Sequence, residues 1–546
     1  MTMMKHLPMK KLSIAVAAIV GLHAGLAQAD ERESLEQLKA TTTNLIDLLV
    51  KEGVLPKDKA DAIVKKATED AARQVKQQQA LDAIAAKPND GAAAALPEDK
   101  SVRVQYVPEH VKQEMRAEIE QQVMAKLNYK AGERLEMPSW LDRIEFYGDL
   151  RMRAQEDNFA DGNEIPGNLN DVTRDMNVLN ATEDRKRLRV RARLGADVKV
   201  NDWLVGGLQF VTGLQTTPLT PNQTEGIAQG KYIFGLDRAF LKATPTSWMM
   251  VEAGRFANPF LSTDILFDPD LAFDGLAASF TPKLTDSLTS FTTVGAFPIE
   301  EFESSDTNRA KDKWLYSLQT GFKWVAPNKS TVKLAVAYHD YKNVEGQSNS
   351  NGLNDFGATV PAFRQRGNNT FNINQINNGG VSPVVGARQI ALASQFEQIN
   401  IIGQIDFLNF DPVHVTITGD YTKNIGFDKN EILQRTGRIY EEETDAYQVK
   451  LDVGTKPFLG TRHEVINKHD WQISLAYRYL ESDSVLDGFT DSNFRLGGTD
   501  TKGWALVGNY AFDKNAWVGA RYLSADTISG LPFSVDVFLV DVNAKF

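Results

Sequence analysis

The chain of 546 residues is 42% apolar and 24% charged, has no cysteine and carries a formal charge of −11. This excludes a disordered chain, a polytopic helical membrane protein, disulfides, thiolate metal sites and cysteine nucleophiles, and it argues against bulk nucleic-acid binding. No uncharged apolar run of about 18 residues follows the N-terminal leader, so spanning helices are out, but a membrane barrel, whose strands bury only alternate residues, is not.

Lys5, Lys10 and Lys11 precede an apolar run from Leu12 to Ala24, and Ala27 and Ala29 place small residues where a signal peptidase reads. Residues 1–29 are therefore expected to be a cleavable signal peptide, and the protein to be exported. Residues 30–85 read as helical. Leu35, Leu38, Leu45 and Leu49 form one stripe, and Ile63, Val64, Ala67, Ala71 and Val75 form another beyond Gly53 and Pro56. This is either a periplasmic coiled coil that helps oligomerise the protein or a hairpin packed on itself, because about two and a half heptads do not decide between them. An Ala- and Pro-rich linker follows over 86–107. A helix over 108–141, opened by Pro108 and carrying Val111, Met115, Ile119 and Val123, leads into the next region.

From residue 142 to 546 the apolar period is 2. Leu188, Val190, Ala192, Leu194, Ala196, Val198 and Val200 share one face, while Arg187, Arg189, Arg191, Arg193, Asp197 and Lys199 share the other. Soluble strands sustain such a pattern over about five or six residues, whereas a tilted membrane strand needs about 9–11. About sixteen such segments occur, near 142–155, 186–200, 203–213, 231–243, 248–256, 271–281, 287–297, 313–325, 331–343, 396–408, 412–424, 445–456, 470–481, 501–512, 515–525 and 535–546. Their connections alternate between short turns and long stretches such as 156–185, 344–395 and 482–500. An all-β, antiparallel up-and-down transmembrane barrel has this asymmetry, with tight periplasmic turns and long external loops. The connection 457–469 is an exception, being long where a turn is expected. The last segment sets Phe538, Val540, Val542, Ala544 and Phe546 on one face and ends on an aromatic, the pattern read by the outer-membrane barrel assembly machinery.

The run Val102-Arg103-Val104-Gln105-Tyr106-Val107-Pro108-Glu109, then Pro138-Ser139-Trp140-Leu141-Asp142-Arg143-Ile144 and Gly148-Asp149-Leu150-Arg151, resembles the opening of the bacterial "putative porin" family. Gly254-Arg255-Phe256-Ala257-Asn258-Pro259-Phe260, continuing to Phe267-Asp268-Pro269-Asp270-Leu271 and Asp274-Gly275, is similar to a second signature. The resemblance implies an outer-membrane pore of a Gram-negative bacterium behind a short periplasmic helical region. By analogy with sixteen-stranded general porins it also implies a homotrimer, and a third external loop bent into the lumen.

Here that loop, 257–270, carries Asp264, Asp268 and Asp270, while the lumen faces of the first two strands offer Arg151, Arg153, Arg187, Arg189, Arg191 and Arg193. Opposed acidic and basic walls make a transverse field that orients polar solutes. These residues are expected to form a constriction for small hydrophilic solutes and ions. The alternative is that the arginines only pair with lumen acids or lipopolysaccharide phosphates. Glu145, Asp149 and Asp197 on the same face dilute a pure anion filter. No cofactor is expected.

An enzyme is disfavoured. His339-Asp340 and His469-Asp470 are adjacent pairs, and neighbours along a strand point to opposite faces. No phosphate-binding loop, zinc-protease motif or dinucleotide fingerprint is present. A structural or adhesive barrel is the remaining alternative, with 344–395 as its binding surface. Asn349, Asn351, Asn368, Asn369, Asn377 and Asn378 give that loop the composition of a flexible, solvated chain.

Overall fold

The computed structural model describes residues 141–349, 354–376, 380–381, 388–458 and 464–546. The expected signal peptide, helical region and linker lie outside the described residues. A single turn of 3-10 helix, Leu141–Arg143, leads into the first strand.

Sixteen antiparallel strands follow in order: β1 (Ile144–Phe159), β2 (Arg185–Lys199), β3 (Leu204–Thr212), β4 (Phe234–Thr246), β5 (Met249–Ala257), β6 (Ala272–Phe280), β7 (Leu288–Glu300), β8 (Lys313–Val325), β9 (Thr331–Lys342), β10 (Phe396–Phe410), β11 (Val413–Asn424), β12 (Asp445–Gly454), β13 (Trp471–Leu480), β14 (Thr501–Asp513), β15 (Ala516–Thr527) and β16 (Val535–Lys545). Each pairs with its neighbours in sequence, and β1 pairs with β16 from Asp149 opposite Lys545 to Phe159 opposite Val535, so the sheet closes on itself. A two-residue strand, Gln223–Thr224, adds to β2 inside the barrel's β3–β4 connection. All sixteen segments legible in the sequence are strands of this one ring. At the seam, Gly148 and Phe546 exchange backbone hydrogen bonds of 3.0 Å, and the Phe546 ring fills the space where a Cβ on residue 148 would stand.

Closure satisfies the backbone without water, and the side chains then sort by face. Along β1, Phe146, Leu150 and Met152 are exposed on the outer face, while Arg151, Arg153, Gln155 and Asp157 are buried inside. Tyr316, Tyr338, Tyr421, Tyr447, Trp504 and Tyr522 ring the outer face near the long connections. Trp203, Trp248, Trp324 and Tyr510 ring it near the short turns. Tyr338 and Tyr522 donate their hydroxyls to Glu397 and Asp536 at 3.0 and 2.6 Å. An apolar band between two aromatic belts is the surface of a barrel that spans a bilayer.

The interior is not simply polar. The connection 258–271, here called the inner loop, buries Phe260, Ile265, Leu266, Phe267 and Leu271 among Phe256, Phe273, Phe297, Leu315, Tyr341, Phe396 and Leu480 from inward positions on the wall. Each such side chain gains roughly 1.5–3 kcal/mol on burial, which water in an open lumen would withhold. His339 lies in this core. Its ring meets Phe260 and Phe267 edge to face at 5.3 and 5.2 Å, and its Nδ1 sits 2.8 Å from the Ser317 hydroxyl.

The Asn-rich connection 343–395 corrects the sequence reading. Rather than a solvated chain, its central asparagines are buried against the connection 481–500. Asn368 Nδ2 donates to the carbonyls of Ser482 and Val485 at 2.5 and 2.9 Å, and its Oδ1 accepts from the Asp487 N–H at 2.8 Å. Asn369 donates from backbone and side chain to the two oxygens of Asp483, both at 2.9 Å. An asparagine carries a donor pair and an acceptor, so it can satisfy buried loop backbone as readily as it meets water. Asn351, Asn377 and Asn378 lie outside the described residues. The long connection expected as a turn, 455–470, is described at its two ends, where Phe458 packs on Trp517 at 6.0 Å and Ile466 joins the same small core.

The Asp483 latch yields a pH dependence. Burial pushes this carboxyl up to about 7, against the bonds from Asn369 and the nearby Arg174 guanidinium, which lower it, and with Glu443, which raises it. The folded protein thus holds this proton more tightly than an unfolded chain, where the usual value is 3.8. The contribution is complete below the unfolded value and is lost as pH rises through the folded one. Hydrogen exchange in 481–500, corrected for intrinsic rates, is expected to quicken between pH 5 and 8, and Asp483→Asn is expected to flatten that change.

Candidate functional site: a charged cavity beside the inner loop

The inner loop leaves the wall at a backbone device. Gly254 and Gly275 stand opposite each other on β5 and β6 with φ of +107° and +136°. A Cβ would come within 2.4 Å of the Ala239 carbonyl oxygen in one case and 2.2 Å of that of Ala296 in the other, so side chains are excluded at both.

From there the loop crosses the lumen and is fastened to distant strands. Leu261 and the Gln319 amide on β8 exchange hydrogen bonds of 2.8 and 2.7 Å. The Thr263 N–H and hydroxyl donate to Asp420 on β11 at 3.2 and 2.7 Å. Asp264 pairs with Arg478 on β13, and Arg478 also donates to Asp491 in the 481–500 connection at 2.6 Å. Asp268 receives the N–H groups of Asp270 and Ser492 at 2.8 and 3.0 Å, while its own N–H donates to the Phe489 carbonyl. Asp270 returns to the β1–β2 wall, 3.7 Å from Arg191 and 3.5 Å from Arg193.

The three aspartates named from sequence therefore point three ways: Asp264 to β13, Asp270 to β2 and Asp268 between them. All three line one cavity of about 280 Å³ with Arg151, Arg153, Arg191 and Arg193. Arg187 and Arg189 are not among its lining residues. Arg187 pairs with Asp157 at 2.7 Å, and Arg189 donates to Gln155, Thr220 and the Asn222 carbonyl. A second cavity, of about 380 Å³, shares Arg193 and Asp270 with the first and adds Asp237, Arg238, Arg255 and Glu300.

Electrostatics differ among the loop acids. Burial alone would raise the Asp270 carboxyl, but the guanidinium groups of Arg191, Arg193, Arg151 and Arg153 together hold it below the usual range. Asp268 behaves oppositely. Burial, with Asp270 and Asp491 beside it, pushes its carboxyl well above the usual range despite the two backbone N–H bonds.

The family model described as "Putative porin" matches residues 39–546. The chain belongs to this porin family. No curated protein sequence matches it. Among solved structures it is similar to OprB of Pseudomonas putida, with 12% identity, coverage of 76% of this chain and 97% of that one, and a TM-score of 0.43. The outer membrane channel DcaP of Acinetobacter baumannii has 10% identity, covers 74% and 97%, and scores 0.36. Salmonella typhi OmpF, solved in complex with daunomycin, has 11% identity, covers 74% and 97%, and scores 0.37.

As a member of this family the protein is a porin barrel, and porins are channels of the Gram-negative outer membrane. Two partners of these charges, Asp541 and Arg478, carried no sequence signal strong enough to single them out. Asp541 on β16 binds Arg153 through two bonds of 2.6 and 2.8 Å, and Arg478 gathers Asp264 and Asp491, while Asp149, named from sequence, bridges Arg191 and Arg193 at 2.7 and 2.5 Å. Asp541 and Arg478 each interrupt an otherwise apolar or small inward row, at Val537, Leu539 and at Ser474, Ala476. That interruption was the available clue.

Breaking the Arg478 junction leaves Asp264 and Asp491 without their cation, a change that costs about 3–5 kcal/mol where such a pair is buried. Arg478→Gln is therefore expected to free the inner loop, giving larger and noisier single-channel currents than wild type. Asp264→Asn added to Arg478→Gln is expected to quieten them in part.

Proposed function

We propose that this porin is a passive diffusion channel for small hydrophilic solutes and ions, with the inner loop and the arginine wall as its charged constriction. The observation that carries the reading is that Asp264, Asp268 and Asp270, on a loop crossing the lumen, share one cavity with Arg151, Arg153, Arg191 and Arg193 on β1 and β2. Fixed charges of both signs across a narrow space favour polar solutes over apolar ones. Because Asp149, Asp157, Asp270 and Asp541 already neutralise most of the arginines, strict anion selectivity is not part of the proposal.

The same reading places residues 1–29 as the export signal, cleaved after Ala29 with Ala27 at the other recognised position, and the helical region in the periplasm. It makes Phe538, Val540, Val542 and Phe546 the face offered to the assembly machinery, and surrounds the barrel with outer-membrane lipid and lipopolysaccharide. A homotrimer is proposed by analogy with other sixteen-stranded porins.

Reconstituted in planar bilayers, the protein is expected to conduct in discrete steps. In an asymmetric salt gradient, Arg191→Gln with Arg193→Gln is expected to move the reversal potential toward cation preference, since Asp149 and Asp270 lose their counter-charges. An unchanged potential would count against a constriction at this wall.

A further inference from the structure

We propose that the cavity beside the inner loop binds compact zwitterions, with the anionic end on Arg151 and the cationic end on Asp268. The inference rests on the channel reading above and names the solute class of the same site.

The lumen charges on this cavity from β1, β2, β16, the inner loop and the 481–500 connection are matched, with two exceptions. Arg153 has Asp541, Arg191 and Arg193 have Asp149 and Asp270, and Asp264 and Asp491 have Arg478. Arg151 is 6% exposed, lines the cavity and has no ion pair among the described residues. Its Nη2 donates to Asn222 Oδ1 at 2.5 Å, and its Nε has no hydrogen-bond partner. It also stands directly opposite Arg191 in the β1–β2 register, so like charge adds to its burial. Asp268 is 2% exposed, lines the same cavity and accepts only backbone N–H groups. It has no ion pair among the described residues, and its charged neighbours Asp270 and Asp491 are of its own sign.

A buried charge without a counter-ion is costly, as the raised Asp268 carboxyl reflects, and a ligand group of opposite sign would stabilise the charged form of each of these two. A simple anion serving Arg151 would face the acids of the loop across the cavity. A simple cation serving Asp268 would face the arginine wall. A molecule bearing both charges satisfies both and adds no net charge. Guanidinium suits a carboxylate through paired N–H donors, and the carboxylate of Asp268 suits an ammonium. The volume of about 280 Å³ falls just below the range for drug-sized ligands, roughly 300–1,000 Å³, which fits an amino acid rather than a disaccharide.

The test is a titration of single-channel current in the full-length reconstituted protein. Alanine is the zwitterionic probe, propionate the anionic, ethylamine the cationic and glycerol the neutral one. Alanine is expected to reduce the current saturably, with the other three needing at least about tenfold higher concentration for half-block. Measured against each variant's own current without alanine, Arg151→Gln and Asp268→Asn should each raise the alanine concentration for half-block roughly tenfold, and Arg151→Lys should restore part of the block. Unblocked conductance also reports that each variant has folded. Equal block by propionate with no effect of Asp268→Asn would make the site an anion site and overturn the proposal. So would a conducting channel indifferent to alanine, which leaves the porin reading intact. Absence of any conductance would instead overturn that reading, and this one with it.

Discussion

A ring of sixteen strands encloses more space than its own inward side chains can fill, and the interior of this protein is organised by how that space is occupied. The inner loop occupies it from one side. Its apolar face, Phe260 to Leu271, completes a core with inward residues of strands from β5 to β13. The connections 343–395 and 481–500 occupy it from above, locked together by asparagine and aspartate side chains and by a shared apolar cluster that includes Val344, Leu392, Val485 and Leu486. Beside the inner loop, a lumen that the wall alone would leave open is thereby reduced to cavities of about 280 and 380 Å³.

Charge follows from that packing. Once a loop crosses the lumen, its polar edge must meet the opposite wall in low dielectric, where unmatched groups are expensive. Most of the carboxylates and guanidinium groups found there are accordingly paired within hydrogen-bond distance, often one acid bridging two bases, as Asp149 does. What matters for passage is the small remainder, since only groups not already committed to the protein are free to recognise something that passes.

The barrel was legible in the sequence because lipid outside and polar groups inside impose a strict alternation. The β1 and β2 faces drawn from periodicity are the faces observed, down to Arg151, Arg153, Arg191 and Arg193 turning inward. The acids of the inner loop were legible only through the analogy with general porins, whose third external loop bends inward. Their partners were not. Asp420, Arg478 and Asp491 lie far along the chain, with separations of 157 residues for Thr263 to Asp420 and 214 for Asp264 to Arg478, and no local pattern fixes how a loop crosses a barrel. Phe260, Ile265, Leu266 and Phe267 are a readable hint of an inward-packed loop, since such a set is poorly suited to water. Asparagine-rich composition misled because it reports capacity for hydrogen bonding, not whether water or protein supplies the partner.

The seam between β1 and β16 has a consequence for biogenesis. Arg153 and Asp541, which meet there, are 388 residues apart, so β1 can have both of its edges paired only once the last strand is in place. Until then its free edge offers unsatisfied amides and carbonyls to any other strand, a standing invitation to mispairing. A closed ring thus differs from an open sheet in that its most exposed edge disappears only when the two ends of the barrel meet.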